Sequence, residues 1–70
     1  MINDTLNSVV VNSNNSYELV MNLKSLKNAG YRSIRTKNGS KNIGRLMFEI
    51  VSMSKAKYTY EEILDELRNY

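Results

Sequence analysis

The chain has 70 residues and a formal net charge of +3, and it contains no Cys, His, Trp or Pro. Cys and His are the ligands that zinc prefers, and imidazole is the usual general base near neutral pH. The composition therefore excludes disulfides and argues against a metal site, a cofactor and an independent enzyme. A domain of this size buries only about 60% of the surface exposed by its unfolded chain, so we expect support from self-association.

Residues 1–8 lack the basic region and apolar run of a secretory signal. No stretch of the chain approaches eighteen consecutive apolar residues, the length of a membrane-spanning helix. We therefore expect a cytoplasmic protein with no membrane partner and no small-molecule substrate.

Charge is distributed unevenly along the chain. Residues 1–23 carry a net charge of −2, residues 24–57 carry +8, and residues 58–70 carry −3. A basic stretch is the electrostatic footprint of a phosphate-binding surface, although a solvated face of a small protein has the same composition. The candidate DNA-binding residues are Arg32, Arg35, Lys37, Lys41, Arg45, Lys55 and Lys57. Tyr31, beside Arg32, is either a stacking surface for a base or a half-buried ring at the start of a strand.

The first half of the chain predicts a strand, a helix and a second strand. Val9, Val10 and Val11 are three consecutive β-branched residues and predict a short strand. Residues 12–15 form a loop, Asn14, Asn15 or Ser16 can cap a helix over residues 17–29, and Gly30 is placed to end that helix. Residues 31–36 predict a short strand, and residues 37–41 a loop.

Apolar residues recur at alternating intervals of three and four in the last third of the chain, with Lys57 as the one polar residue of the series. This heptad pattern predicts one helix over about residues 42–69, roughly 40 Å long. Such a helix would project beyond a small globule, so its apolar seam predicts a homodimer. The predicted interface consists of Ile43, Leu46, Ile50, Met53, Tyr60, Leu64 and Leu67.

Three other interpretations remain open for the second half. The helix can break near Lys57 and Tyr58, with Thr59 and Glu62 forming a capping box for a separate last helix. Residues 38–39 can form a hairpin turn that leads into a strand over residues 45–53. Three helices in a helix-turn-helix arrangement would require no strand at residues 31–36.

The predicted fold class is therefore α/β but mainly helical, a small strand-helix-strand-long helix unit. We expect one domain over residues 1–70, with residues 1–7 flexible, residues 8–41 forming strand-helix-strand, and residues 42–69 forming a dimerisation helix. The carboxylates Glu61, Glu62, Asp65 and Glu66 follow Thr59, a capping residue, and acidic side chains near a helix start stabilise the helix, so we expect them to have no catalytic role.

Two segments carry a resemblance to a known family. The first is LKSLKNAG followed directly by YRSI, and the second, after a polar loop, is IGRLMFEIV. Together they resemble the second half of the catalytic domain of serine recombinases, the resolvase and invertase family. The match covers roughly residues 8–56 and implies that Gly44, Arg45, Leu46, Met47, Phe48 and Ile50 open and pack a long helix used for dimerisation and DNA contact.

The chain departs from that family where the chemistry lies. The nucleophilic serine region is missing, residues 12–16 hold no Arg where the family has DRLGR, and residues 57–67 hold no Arg where it has ERxxIxxR. The resemblance thus implies a catalytically dead relative that regulates or assists a mobile element or phage, binding DNA or a recombinase-like partner. The competing interpretation is a mobile-element inhibitor that docks on a host protein without binding nucleic acid.

Overall fold

The computed structural model describes residues 5–70, which form four α-helices and one two-stranded antiparallel sheet. In chain order the elements are α1 (Thr5–Val11), α2 (Ser16–Asn28), β1 (Ser33–Thr36), β2 (Gly39–Asn42), α3 (Ile43–Lys55) and α4 (Tyr60–Leu67). The described part of the chain is thus small and mainly helical.

The strand predicted at Val9, Val10 and Val11 is wrong, because these residues belong to α1. Leu6 is buried, and Val9 and Val10, three and four positions later, pack against the same core. Helical spacing thus brings three apolar side chains onto one face, and this packing overrides the β-propensity of the valines. The expected flexibility of residues 1–7 falls partly on residues 1–4, which lie outside the described residues, while residues 5–7 are helical.

Helix α2 confirms the predicted second element. The Asn15 side chain caps its start by accepting a hydrogen bond from the Glu18 N–H at 2.9 Å. At its end, Gly30 has a φ of +102°, and the Tyr31 N–H donates to the Leu26 carbonyl at 3.1 Å. This is a Schellman ending, in which a residue without Cβ takes the left-handed position at no steric cost.

The strand predicted within residues 31–36 is confirmed as β1, but most of the predicted loop over residues 37–41 is β2. The register pairs Ile34 with Lys41 and Thr36 with Gly39, so Lys37 and Asn38 form the turn. Gly39 has a φ of +111°, and the Thr36 hydroxyl donates to its carbonyl at 2.8 Å. The hairpin is therefore present, but residues 45–53 after it are helical, and β1 argues against the three-helix arrangement.

The prediction of a single helix over residues 42–69 is wrong, because a turn separates α3 from α4. Lys57 has a φ of +71°, and the Tyr58 N–H donates to the Met53 carbonyl at 3.0 Å, which ends α3 in a Schellman motif. Thr59 and Glu62 then form the capping box of α4, with backbone-to-side-chain hydrogen bonds of 2.8 and 3.2 Å. The alternative with a break near Lys57 and Tyr58 is thus confirmed.

The apolar series of the last third lies inside the chain's own core. Ile43, Leu46, Ile50 and Leu67 are buried, and Met53, Tyr60 and Leu64 pack against the same cluster. The cluster is completed by Leu6, Leu19, Leu23, Ile34 and Ile63. The longest dimension of the described chain is 33 Å, shorter than the predicted rod. Of the seven residues of the predicted dimer interface, four are thus buried and three partly buried within one chain, and self-association stays a prediction.

Candidate nucleic-acid interface

The cations of the basic stretch are spread over three regions of the fold. Lys24 and Lys27 lie in the second half of α2, Arg32 lies in the connection to β1, and Arg35 lies on β1. Lys37 is in the hairpin turn and Lys41 on β2, whereas Arg45, Lys55 and Lys57 lie along and after α3. All are exposed except Lys41, which is half-buried.

A shallow depression of about 290 Å³ lies where the end of α2 meets the start of α3, lined by Lys27, Gly30, Tyr31, Arg32, Asn42 and Gly44. The Ile43 N–H donates to the Arg32 carbonyl at 3.0 Å, which fixes the connection against the start of α3. A methyl group built on Gly44 would lie 3.8 Å from Lys27 Nζ, so this ammonium group lies close over the first turn of α3. Two cations thus share one concave surface.

The pairing of the hairpin decides which of its cations extend this surface. Directly paired residues of an antiparallel sheet point to the same face. Arg35 pairs with Ser40 and Ser33 pairs with Asn42, and all four are exposed, so they form the solvent face of the hairpin. Because Asn42 also lines the depression, the solvent face leads from there to Arg35. We call the surface formed by Lys24, Lys27, Arg32 and Arg35 the basic face.

Lys41 points the other way, although the sequence grouped it with the other candidates. It pairs with Ile34, a core residue, and lines a second depression of about 230 Å³ together with Arg45, Glu49 and Tyr70, which meets the first one at Asn42. Lys55 is twelve residues beyond Ile43, roughly 18 Å along the helix axis, so it lies at the opposite end of α3 from the basic face. The structure thus brings Arg32 and Lys27 together in one depression, places Arg35 on the solvent face of the adjoining hairpin, and separates Lys41 and Lys55 from them.

Ion pairing leaves the basic face with its charge uncompensated. Within residues 5–70 the ion pairs are Arg45 with Glu49 at 3.4 Å and Arg68 with Asp65 at 3.0 Å, and neither involves a residue of this face. The carboxylates Glu61, Glu62, Asp65 and Glu66 belong to α4, where Glu62 serves the capping box. Glu18 lies at the start of α2, whereas Lys24 and Lys27 lie in its second half, so the basic face has no ion-paired carboxylate among the described residues.

Lys24 and Lys27 were missed as site residues in the sequence. They are one turn apart on α2, and Lys27 is three residues before Gly30, which turns the chain toward Arg32. The sequence feature that could have identified them is the position of Lys27 in the last turn of a helix that ends at a glycine. Its proximity to Gly44 depends on how α2 and α3 pack, and this has no signature in the sequence.

Two aromatic rings are exposed beside the basic face. Tyr31 lines the depression itself and is 59% exposed, while Phe48 is 73% exposed on α3. Phe48 follows Gly44 by four residues, which is about one turn and 6 Å along the helix. The Tyr31 ring is thus not half-buried, the alternative that the sequence left open.

Tyr60 is the one residue with a clear shift in acidity among those described. Its pKa is raised above 10.0, first by partial burial of the phenol and then by the negative charges of Glu61 and Glu18. The phenol lies at the start of α4 and not on the basic face. No group of three or more metal-ligating side chains occurs within residues 5–70, and no helix there combines the length and hydropathy needed to cross a membrane.

Comparison of the chain with protein-family models, with curated proteins and with solved structures gives no match. The relationship to serine recombinases therefore stays a hypothesis, and the first strand and the long helix that it implies do not occur in the described fold.

Proposed function

We propose that this chain is a non-catalytic nucleic-acid-binding protein of a regulatory kind that contacts phosphates, those of DNA in the first instance, through the basic face. The observation that carries the proposal is the uncompensated positive charge of the basic face. Lys24, Lys27, Arg32 and Arg35 are exposed and outside the ion pairs of the described residues, while the carboxylates of α4 lie on another element. Uncompensated cations gain affinity for a polyanion by releasing its condensed counterions.

The chemistry of the described residues suits binding more than catalysis. The chain lacks Cys and His, and the pKa shift of Tyr60 moves the phenol away from ionisation near neutral pH. A raised phenol pKa neither creates a nucleophile nor places a general base near pH 7. Binding therefore rests on charge and shape.

The salt dependence of binding tests the proposal. Binding of a labelled random duplex is measured by fluorescence anisotropy between about 20 and 200 mM salt, where each phosphate contact contributes a slope of about −0.9 in log K against log salt concentration. We expect the double variant Lys27→Ala, Arg32→Ala to weaken binding about equally for all sequences and to flatten the slope by about two contacts.

A matched control is available on the same molecule. The double variant Lys55→Ala, Lys57→Ala removes the same charge at the other end of α3, and we expect it to leave the slope unchanged. Equal flattening by both variants would show that net charge alone, not the basic face, attracts the nucleic acid. Absence of binding to duplex or single strand at low salt would overturn the proposal.

An apolar depression favours a second candidate function, docking on a protein. It measures about 320 Å³ and is lined mainly by residues of α2 and α3, among them Tyr17, Val20, Ile50 and Val51. Tyr17 is 74% exposed, and exposed aromatic rings are common anchors of protein interfaces. If the folded chain binds no nucleic acid at low salt, an inhibitor of a host protein or of a recombinase-like enzyme becomes the better proposal.

A further inference from the structure

The geometry points to single-stranded nucleic acid as the preferred ligand of the basic face, with Tyr31 and Phe48 stacking on bases. This inference rests on the proposed function and specifies its ligand. Proteins that bind single strands combine a cationic surface for the backbone with aromatic side chains for the bases. Both components occur together at the junction of α2 and α3.

Tyr31 is placed to receive a base beside the phosphate contacts. Tyr31 lines the same depression as Lys27 and Arg32, and all three residues are exposed. The Tyr31 backbone is held by the hydrogen bond from its N–H to the Leu26 carbonyl at 3.1 Å, within the Schellman ending of α2. A ring on a fixed backbone loses less conformational freedom when a ligand orders it than a ring on a mobile loop.

Phe48 continues this surface along α3. It points away from the core, since the helix positions that face inward are those of Ile43, Leu46 and Ile50. Gly44, one turn earlier, lines the depression, and Lys27 Nζ lies 3.8 Å from where a Cβ on Gly44 would be, so a cation stands within about one helical turn of the Phe48 position. Arg45, three residues before Phe48, is paired with Glu49 at 3.4 Å, so the cations available beside the second ring are those of the basic face.

A single strand uses this surface better than a duplex does. In a duplex the faces of the bases are stacked on each other, so exposed rings reach only base edges, sugars and phosphates. In a single strand every base offers a free π-face, and stacking is tolerant of sequence. The Phe48 ring, which is 73% exposed, can therefore stack on an unstacked base of a single strand but not on the stacked bases of a duplex.

The test compares two probes on the intact chain at one low salt concentration, a labelled thymidine oligonucleotide and a labelled random duplex of equal charge. We expect tighter binding to the oligonucleotide. Tyr31→Ala and Phe48→Ala should each weaken it about fivefold to a hundredfold while changing duplex binding little. Tyr31→Phe should retain single-strand binding because the ring remains.

Tyr58→Ala is the matched control, since it removes an exposed ring in the connection between α3 and α4. Circular dichroism of each variant shows that loss of binding is not loss of fold. Equal affinity for both probes, unaffected by the removal of either ring, would overturn this inference and leave the proposed phosphate contacts standing. Binding to neither probe would overturn both proposals and would favour docking on a protein.

Discussion

The hydroxyl of Tyr60 donates a hydrogen bond to the backbone carbonyl of Ser13 at 3.3 Å, across 47 positions of sequence. Ser13 is buried, and its own hydroxyl donates to the Val9 carbonyl at 2.7 Å and accepts from the Asn22 side-chain amide at 2.8 Å. The start of α4 is thereby tied to the connection between α1 and α2. This contact is possible only because the chain turns back after α3.

Replacement of this phenol should change the pH dependence of stability. Burial, Glu61 and Glu18 raise the pKa of Tyr60, so the unfolded chain loses the phenol proton first as pH increases past 10.0. The contribution of the phenol is therefore fully present below pH 10 and is lost as pH rises toward the folded-state pKa. We expect Tyr60→Phe to lower the free energy of unfolding by about 1 kcal/mol near neutrality.

The difference between Tyr60→Phe and the parent chain should then shrink above pH 10, measured by urea unfolding at several pH values. Tyr17→Phe, in which an exposed ring loses its hydroxyl, controls for the removal of one phenol. A gap between Tyr60→Phe and the parent that stays constant through this pH range would contradict the role given to the Tyr60 hydroxyl.

Lys57 offers a stabilising substitution. It has a φ of +71° in the Schellman ending of α3, a region that costs a residue with Cβ roughly 1 to 2 kcal/mol. Lys57→Gly should raise the free energy of unfolding by up to about 1 kcal/mol, because glycine takes this conformation without strain but is more flexible when unfolded. Lys57→Ala removes the same charge without relieving the strain, and thermal unfolding should rank it below Lys57→Gly.

Two neighbouring positions on α3 should respond very differently to truncation. Ile50 is fully buried, so Ile50→Val should cost about 0.5 to 1.5 kcal/mol and Ile50→Ala about 2 to 5 kcal/mol. Phe48 is exposed, and Phe48→Ala should change the free energy of unfolding by no more than about 0.5 kcal/mol. Denaturant unfolding measures both, and the reverse order would mean that the apolar series faces a partner instead of the core.

The hairpin turn depends on one buried hydroxyl. Thr36 is 4% exposed, and its Oγ1 donates to the Gly39 carbonyl at 2.8 Å and accepts from the Asn38 N–H at 3.1 Å. Thr36→Val keeps the shape but leaves these groups without their partner, which should cost about 1 to 3 kcal/mol. Thr36→Ser keeps the hydroxyl and should cost less, so equal melting temperatures for the two variants would be evidence against this role.

Local signals in the sequence were sufficient where the governing interactions are local. Gly30 ends α2 as predicted, and Asn15, one of three candidate caps, begins it, because a cap and a left-handed glycine act within a few residues. The Thr59 and Glu62 capping box was also visible in the sequence. The longer apolar series favoured one continuous helix over the break that this capping box indicates. Apolar residues at the same spacing also fit two helices that pack around one core.

What the sequence could not supply depends on contacts between elements. The β-branched residues after Leu6 became helical because α1 packs its apolar side against β1 and α2. The separation of Lys41 from Arg35 follows from strand register, which assigns alternate residues to opposite faces. The basic face likewise required the packing of α2 against α3, which places Lys27 near Gly44.

Helix α4 has eight residues, fewer than an isolated helix needs to persist in water, and it connects to α3 through a four-residue turn that includes a positive-φ lysine. Its order therefore comes from Ile63, Leu67 and the capping box. We expect it to open as a separate cooperative unit ahead of global unfolding, so that its amides exchange with deuterium sooner than those in the middle of α3.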